Sequence, residues 1–109
     1  MDAVALTEKV AAIEKAIGQR IQTEAREAHW VTHYGAFDIH PRHLVYWICV
    51  KSDAERDRLA GNRELMTGLR DVLVTCDYPP EGRDHVHIGF ESQETVDRES
   101  GGHWWHHWK

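Results

Sequence analysis

The stretch His43–Lys51, HLVYWICVK, constrains this chain more than any other. Leu44 through Val50 are seven apolar residues in succession, bounded by Pro41–Arg42 and by Ser52–Asp53. That length suits a strand better than a helix. A short buried helix is the competing reading, and the β-branched and aromatic content of Val45, Tyr46, Trp47, Ile48 and Val50 argues against it. Alternation places Leu44, Tyr46, Ile48 and Val50 on one face and Val45, Trp47 and Cys49 on the other. Neither face is polar, so the stretch is expected to be an interior strand covered at least partly on both sides.

The rest of the chain can be laid around it. Leu6, Val10, Ile13, Ile17 and Ile21 recur every three or four residues and predict an amphipathic helix, with Ala25 and Ala28 continuing the stripe. A dimerisation helix is an alternative use of the same spacing. Trp30, Val31, Thr32, Tyr34, Phe37 and Ile39 favour a strand over about 31–40, with Gly35 as a bulge or bend, joined to the central strand as a hairpin. Ser52–Asp53–Ala54–Glu55 has the form of a capping box, in which Ser52 caps the third helical amide and Glu55 reaches back to the Ser52 amide. The helix it opens carries Leu59, Leu65, Met66, Leu69, Val72 and Leu73, with Gly61–Asn62 as a kink or a break. It ends before Tyr78–Pro79–Pro80. HVHIGFE, His85–Glu91, alternates cleanly, with Val86, Ile88 and Phe90 facing one way and His85, His87, Gly89 and Glu91 the other. A short helix follows from Ser92, anchored by Val96 and stopped at Gly101–Gly102. The closing HWWHHWK carries too much indole surface for a solvated tail and is expected to dock as a further strand.

These elements assemble into a single α+β domain over residues 1–109, in the order α-β-β-α-β-short α-β. The expected architecture is a two-layer sandwich: a mostly antiparallel four-stranded sheet with two main helices on one face. The crossover from the central strand to His85–Glu91 allows one parallel pair, right-handed if formed.

Charge and cysteine content narrow the function classes. A formal charge of −5 opposes nonspecific nucleic-acid binding, which relies on lysine and arginine to neutralise phosphates. No apolar run approaches the ~18 residues that cross a bilayer, so no membrane association is expected. The opening MDAVALTEKV lacks the basic start of a secretory leader. Cys49 and Cys76 read as reduced thiols, and the expected compartment is the cytoplasm. Nine histidines and five tryptophans are a high content for 109 residues. Protonating all nine histidines would carry the charge from −5 to +4, so electrostatic partnering should change between about pH 5 and 7.

No motif assigns a reaction. GxSxG, HExxH and phosphate-loop glycines are absent, and Ser92 and Ser100 lack a nucleophile setting. Cys76 near His85, and His87 with Glu91, are the pairs that acid–base or nucleophilic chemistry would have to use. The favoured expectation is a non-catalytic protein without cofactor, a monomer or homodimer. It engages a protein partner, or itself, through an aromatic and histidine-rich sheet face carrying Trp47, His85, His87, Glu91 and Trp105. A toxin-neutralising or regulatory role fits by size and charge only. The alternative is a zinc site or metal-dependent enzyme centred on His85, His87 and Glu91, with His103 and His107 as further ligands. His29 and His33 form one more pair at a spacing of four.

Overall fold

A computed structural model describes residues 3–108. Helix α1, Ala3–Gln22, lays Leu6, Val10, Ile13, Ile17 and Ile21 into the core, as its spacing requires. Strand β1 is His29–Tyr34 and strand β2 is Val45–Val50, with a 3-10 turn at Pro41–His43 between them. Helix α2, Asp53–Ala60, and helix α3, Arg63–Thr75, divide at Gly61–Asn62, where Asn62 Oδ1 caps α3 by accepting from the Leu65 amide. A single turn of helix, α4, covers Pro80–Arg83; strand β3 is His87–Ser92 and helix α5 is Gln93–Ser100. Residues Trp104–His107 form one last helical turn, α6.

Among the described residues the sheet has three strands in the order β1-β2-β3. β1 pairs antiparallel with β2, Thr32 opposite Trp47, and β2 pairs parallel with β3, Trp47 opposite Gly89. The chain is thus α+β with β2 in the interior, and the crossover through α2 and α3 does make a parallel pair. The expectation of four mostly antiparallel strands needs correction: the sheet is mixed and three-stranded, and HWWHHWK does not extend it. Gly101 and Gly102, at φ 60° and 84°, turn the chain sharply after α5. The tail then crosses a sheet face instead of running along an edge. Coiled as a helix, Trp104 and Trp108 are one turn apart, so both indoles can press on the same surface.

One sheet face and the helices enclose the core. Tyr46, Ile48, Val50, Ile88 and Phe90 point toward α1, α2 and α3, whose Leu59, Leu65, Leu69 and Leu73 are fully buried. Tyr46 reaches through this layer to donate its hydroxyl to the Val10 carbonyl at 2.7 Å. The predicted cap of α2 is half as expected. Ser52 Oγ accepts from the Glu55 amide at 3.1 Å, but the Ser52 amide donates to Glu27, not to Glu55. Glu55 is taken instead by Arg58 and by the Arg26 amide. These bonds tie the loop before β1 to the start of α2.

An aromatic face under the C-terminal turn

The registers place nine residues on the face away from the helices: Trp30, Thr32 and Tyr34 from β1, Val45, Trp47 and Cys49 from β2, and His87, Gly89 and Glu91 from β3. Alternation of side chains along each strand is the whole reason they share it. Trp47 is its centre. Its indole N–H donates to the Tyr34 hydroxyl at 3.1 Å, and the His87 ring lies 4.8 Å from it between centroids. Gly89, opposite Trp47, leaves room for both: a Cβ there would stand 2.5 Å from His87 Nε2 and 2.9 Å from the Trp47 ring.

Helix α6 caps this surface. Trp108 stacks on Trp47 at 5.6 Å and 15° between planes, while Trp104 meets Trp30 edge-on at 4.9 Å. The two capping indoles lie 5.3 Å apart. Offset and edge-on pairs add about 0.5–1.5 kcal/mol each beyond the area they bury. Two polar fastenings hold the turn in place: Trp104 Nε1 donates to Gln93 Oε1 at 2.7 Å, and His107 bonds both Glu91 at 2.8 Å and Ser100 at 3.0 Å.

Glu91 is therefore a structural anchor. Burial works against its charged form, but the Ser92 amide, His107 and Arg56 together hold its carboxyl below the ordinary range. Arg56 extends the network to Thr95 and Asp53. Asp53 accepts from Ser92, Thr95 and Arg98, and those bonds, Ser92's first, press its pKa far down. His87 moves the other way for a base: desolvation, then the charge of Arg70, lowers its pKa and favours the neutral ring. Burial, then the charge of Glu91, lifts the Cys49 thiol to about 12, so it stays protonated at neutral pH.

Ser100, His107 and Glu91 form a hydrogen-bonded chain of the kind hydrolases use. Its surroundings are those of a clasp. The amides of Gly101 and Gly102 already cap α5 by donating to Val96, and the His103 amide donates to the Ser100 carbonyl. An oxyanion next to Ser100 would find those donors engaged.

The structure brings Trp47, His87 and Glu91 together as expected and places Trp105 at the edge of the cap. His85 lies outside β3, exposed in the turn after α4, so the alternation does not carry it onto the face. Of the four histidines named as ligands, His87 rests on Trp47, His107 is bonded to Glu91, and His103 sits exposed beside His106 at 5.8 Å. Among the described residues, no three His, Cys, Asp or Glu side chains are grouped to hold a metal ion. His29 and His33 fall on the helix-facing side of β1, where His33 Nδ1 meets Glu14 at 2.8 Å. Cys76 and His85 lie on opposite sides of α4 in the chain, at the end of α3 and in the turn before β3. Sequence reasoning missed Tyr34, Trp104 and Trp108 as parts of the face. The spacing of four between the two tryptophans, after a double glycine, is compatible with a helical turn but equally with a strand, and Tyr34 carried no signal of its own.

Between the cap and the end of β1 lies a cavity of about 300 Å³ lined by Tyr34, Gly35, Trp105 and Trp108. Trp105, 66% exposed, is its outer wall; Trp30, 41% exposed, lies at the other end of β1, against Trp104. Tyr34 is pinned by the Trp47 N–H and Trp108 by stacking, so two of the three aromatic walls are fixed in advance.

Fold and face define a small α+β domain whose mixed sheet carries a capped aromatic surface on the side away from its helices. No family model matches the chain, and neither the curated proteins nor the solved structures searched hold a significant match to it.

Proposed function

We propose that this protein is a small non-catalytic binding module that engages a protein partner on its aromatic sheet side, at the open edge of the C-terminal cap, anchored at the Tyr34–Trp105–Trp108 cavity. The observation that carries this reading is the cavity itself, a pre-shaped aromatic recess of about 300 Å³ with an exposed indole at its rim. Tryptophan and tyrosine are the residue types that dominate interface energetics when a partner covers them. The volume stands at the foot of the range for small-molecule pockets, about 300–1,000 Å³, and suits one inserted side chain. A net charge of −5 favours a basic partner and speeds encounter with it. The free thiols fit a reducing compartment such as the cytoplasm. Size and charge are those of a neutralising or regulatory protein.

The test is proximity labelling in cells with the wild-type chain and Trp105→Ala at matched abundance and matched thermal stability. Proteins labelled by the first and lost with the second are the expected outcome. Identical labelling by both would sink the reading. So would a stoichiometric homodimer in native mass spectrometry that Trp105→Ala dissociates, since the face would then be occupied by a second copy.

A further inference from the structure

We infer that the occupant of the Tyr34–Trp105–Trp108 cavity is an arginine side chain presented by a basic protein surface. The inference rests on the binding-module reading and names what that module recognises. Three aromatic side chains and Gly35 line the cavity, and none of the four carries a charge. Tyr34 and Trp108 stand at 52° to each other, 5.9 Å apart, which makes a wedge with Trp105 as the open third side. Aromatic faces carry the negative end of the ring quadrupole, so an aromatic recess can hold a cation over a ring face without supplying a carboxylate. The protein as a whole adds to this, with 18 acidic residues against 13 lysines and arginines.

The choice of cation follows from hydration. An ammonium is a compact, strongly hydrated charge, and entering a recess with no acidic partner would cost it that shell. A guanidinium is planar, more weakly hydrated, and stacks on an indole with its N–H edge still turned to water. The exposed Trp105 ring offers such a stacking surface, and its exposure leaves the N–H edge accessible. Fixed walls reduce the ordering cost on binding: Tyr34 and Trp108 are both held by Trp47, and only Trp105 has to settle.

The experiment titrates three capped tripeptides, N-acetyl-Gly-X-Gly-amide with X as arginine, citrulline or lysine, into the ¹⁵N-labelled full chain. The indole N–H signals of Trp105 and Trp108 are followed. Citrulline keeps arginine's shape and loses its charge, so it separates cation recognition from simple apolar filling. The expected result is saturable shifts with arginine, binding about threefold or more tighter than with citrulline, and weaker binding of lysine than of arginine. In Trp105→Ala the Trp108 shifts should vanish, and in Trp105→Phe, which keeps an aromatic wall, they should return in part. Citrulline equal to arginine, lysine equal to arginine, or Trp108 shifts that survive in Trp105→Ala would each overturn the inference. The proximity-labelling comparison is read independently. Trp105-dependent labelling with no arginine preference removes the arginine assignment alone, whereas labelling indifferent to Trp105 removes the module reading beneath it.

Discussion

The same substitution, glycine to alanine, should have opposite signs at two places in this protein. Gly35 follows β1 at φ 114°, a backbone conformation that disfavours any residue with a Cβ. A Cβ there would stand 1.9 Å from the His43 carbonyl oxygen, 3.0 Å from its carbon and 3.4 Å from Leu44 Cα. A carbon–oxygen contact is normally no closer than about 3.3 Å. All three obstructing atoms are backbone, next to the start of β2, so nothing can swing aside. Strain at the dihedral costs about 1–3 kcal/mol, and forcing an extra carbon into packed structure costs about 1–3 kcal/mol. Gly35→Ala should therefore lose about 2–6 kcal/mol, a large part of the about 5–15 kcal/mol that holds a domain folded. Gly18 is the opposite case. It lies within α1, and a Cβ there would meet Val31 Cγ2 at 4.0 Å, an ordinary contact. Gly18→Ala should gain about 0.5–1 kcal/mol by removing backbone freedom from the unfolded chain. Urea denaturation followed by far-ultraviolet circular dichroism reads both, with the midpoint moving and the slope unchanged. A Gly35→Ala midpoint equal to wild type would refute the close approach of β1's end to His43. A lowered Gly18→Ala midpoint would refute the placement of α1 on β1.

Three further outcomes follow from the polar groups of the core and of the networks around it. Tyr46→Phe should cost about 1 kcal/mol, because the buried hydroxyl gives its hydrogen bond to Val10 and the cavity for it remains; an unchanged denaturation midpoint would contradict this. Stability should fall in acid. Asp53, Glu55 and Glu91 have depressed folded-state pKa values, so their contribution is complete above the ordinary carboxylate range and is lost as pH falls below about 4. His87, depressed as a base, adds a loss of the same sign beginning as pH drops through about 6.5. A melting temperature flat from pH 7 to 3 would be incompatible with these networks. Cys49, fully buried with its thiol pKa raised to about 12, should resist iodoacetamide at pH 8 until the protein unfolds; alkylation of Cys49 in the native state, read by peptide mass spectrometry, would show the face to be open there.

Much of this architecture was legible where one period dominates. The α1 stripe and the alternation of β3 each bury one set of side chains, so spacing alone identifies their inner faces, while the apolar run of β2 marks an interior strand that buries Tyr46, Ile48 and Val50 on one side and Cys49 on the other. Trp47, His87 and Glu91 were legible as neighbours for the same reason. The tail was not. HWWHHWK satisfies a strand's alternation and a helix's spacing of four equally well, and what decides between them is the Trp47 and Trp30 surface waiting for it, a tertiary fact. The Ser52 cap failed in half for a related reason: Glu27, remote in the chain, outcompetes Glu55 for the Ser52 amide. His85 was misplaced by one pleat, because the turn after α4 holds its amide on the Gly82 carbonyl and β3 starts two residues later.

The parallel pairing of β2 with β3 and the late arrival of α6 impose an order on synthesis. On the ribosome, α1, β1 and β2 emerge first and can form a hairpin against a helix. Yet β2 lacks its second neighbour until α2, α3 and α4 have followed. Even then the ring surface of Trp30, Tyr34 and Trp47 stays bare until residues 103–108 leave the exit tunnel. A ribosome stalled short of that point would display a sheet with an uncovered aromatic patch, the kind of surface that draws chaperones and drives aggregation. Residues 103–108 thus decide whether the sheet is born covered.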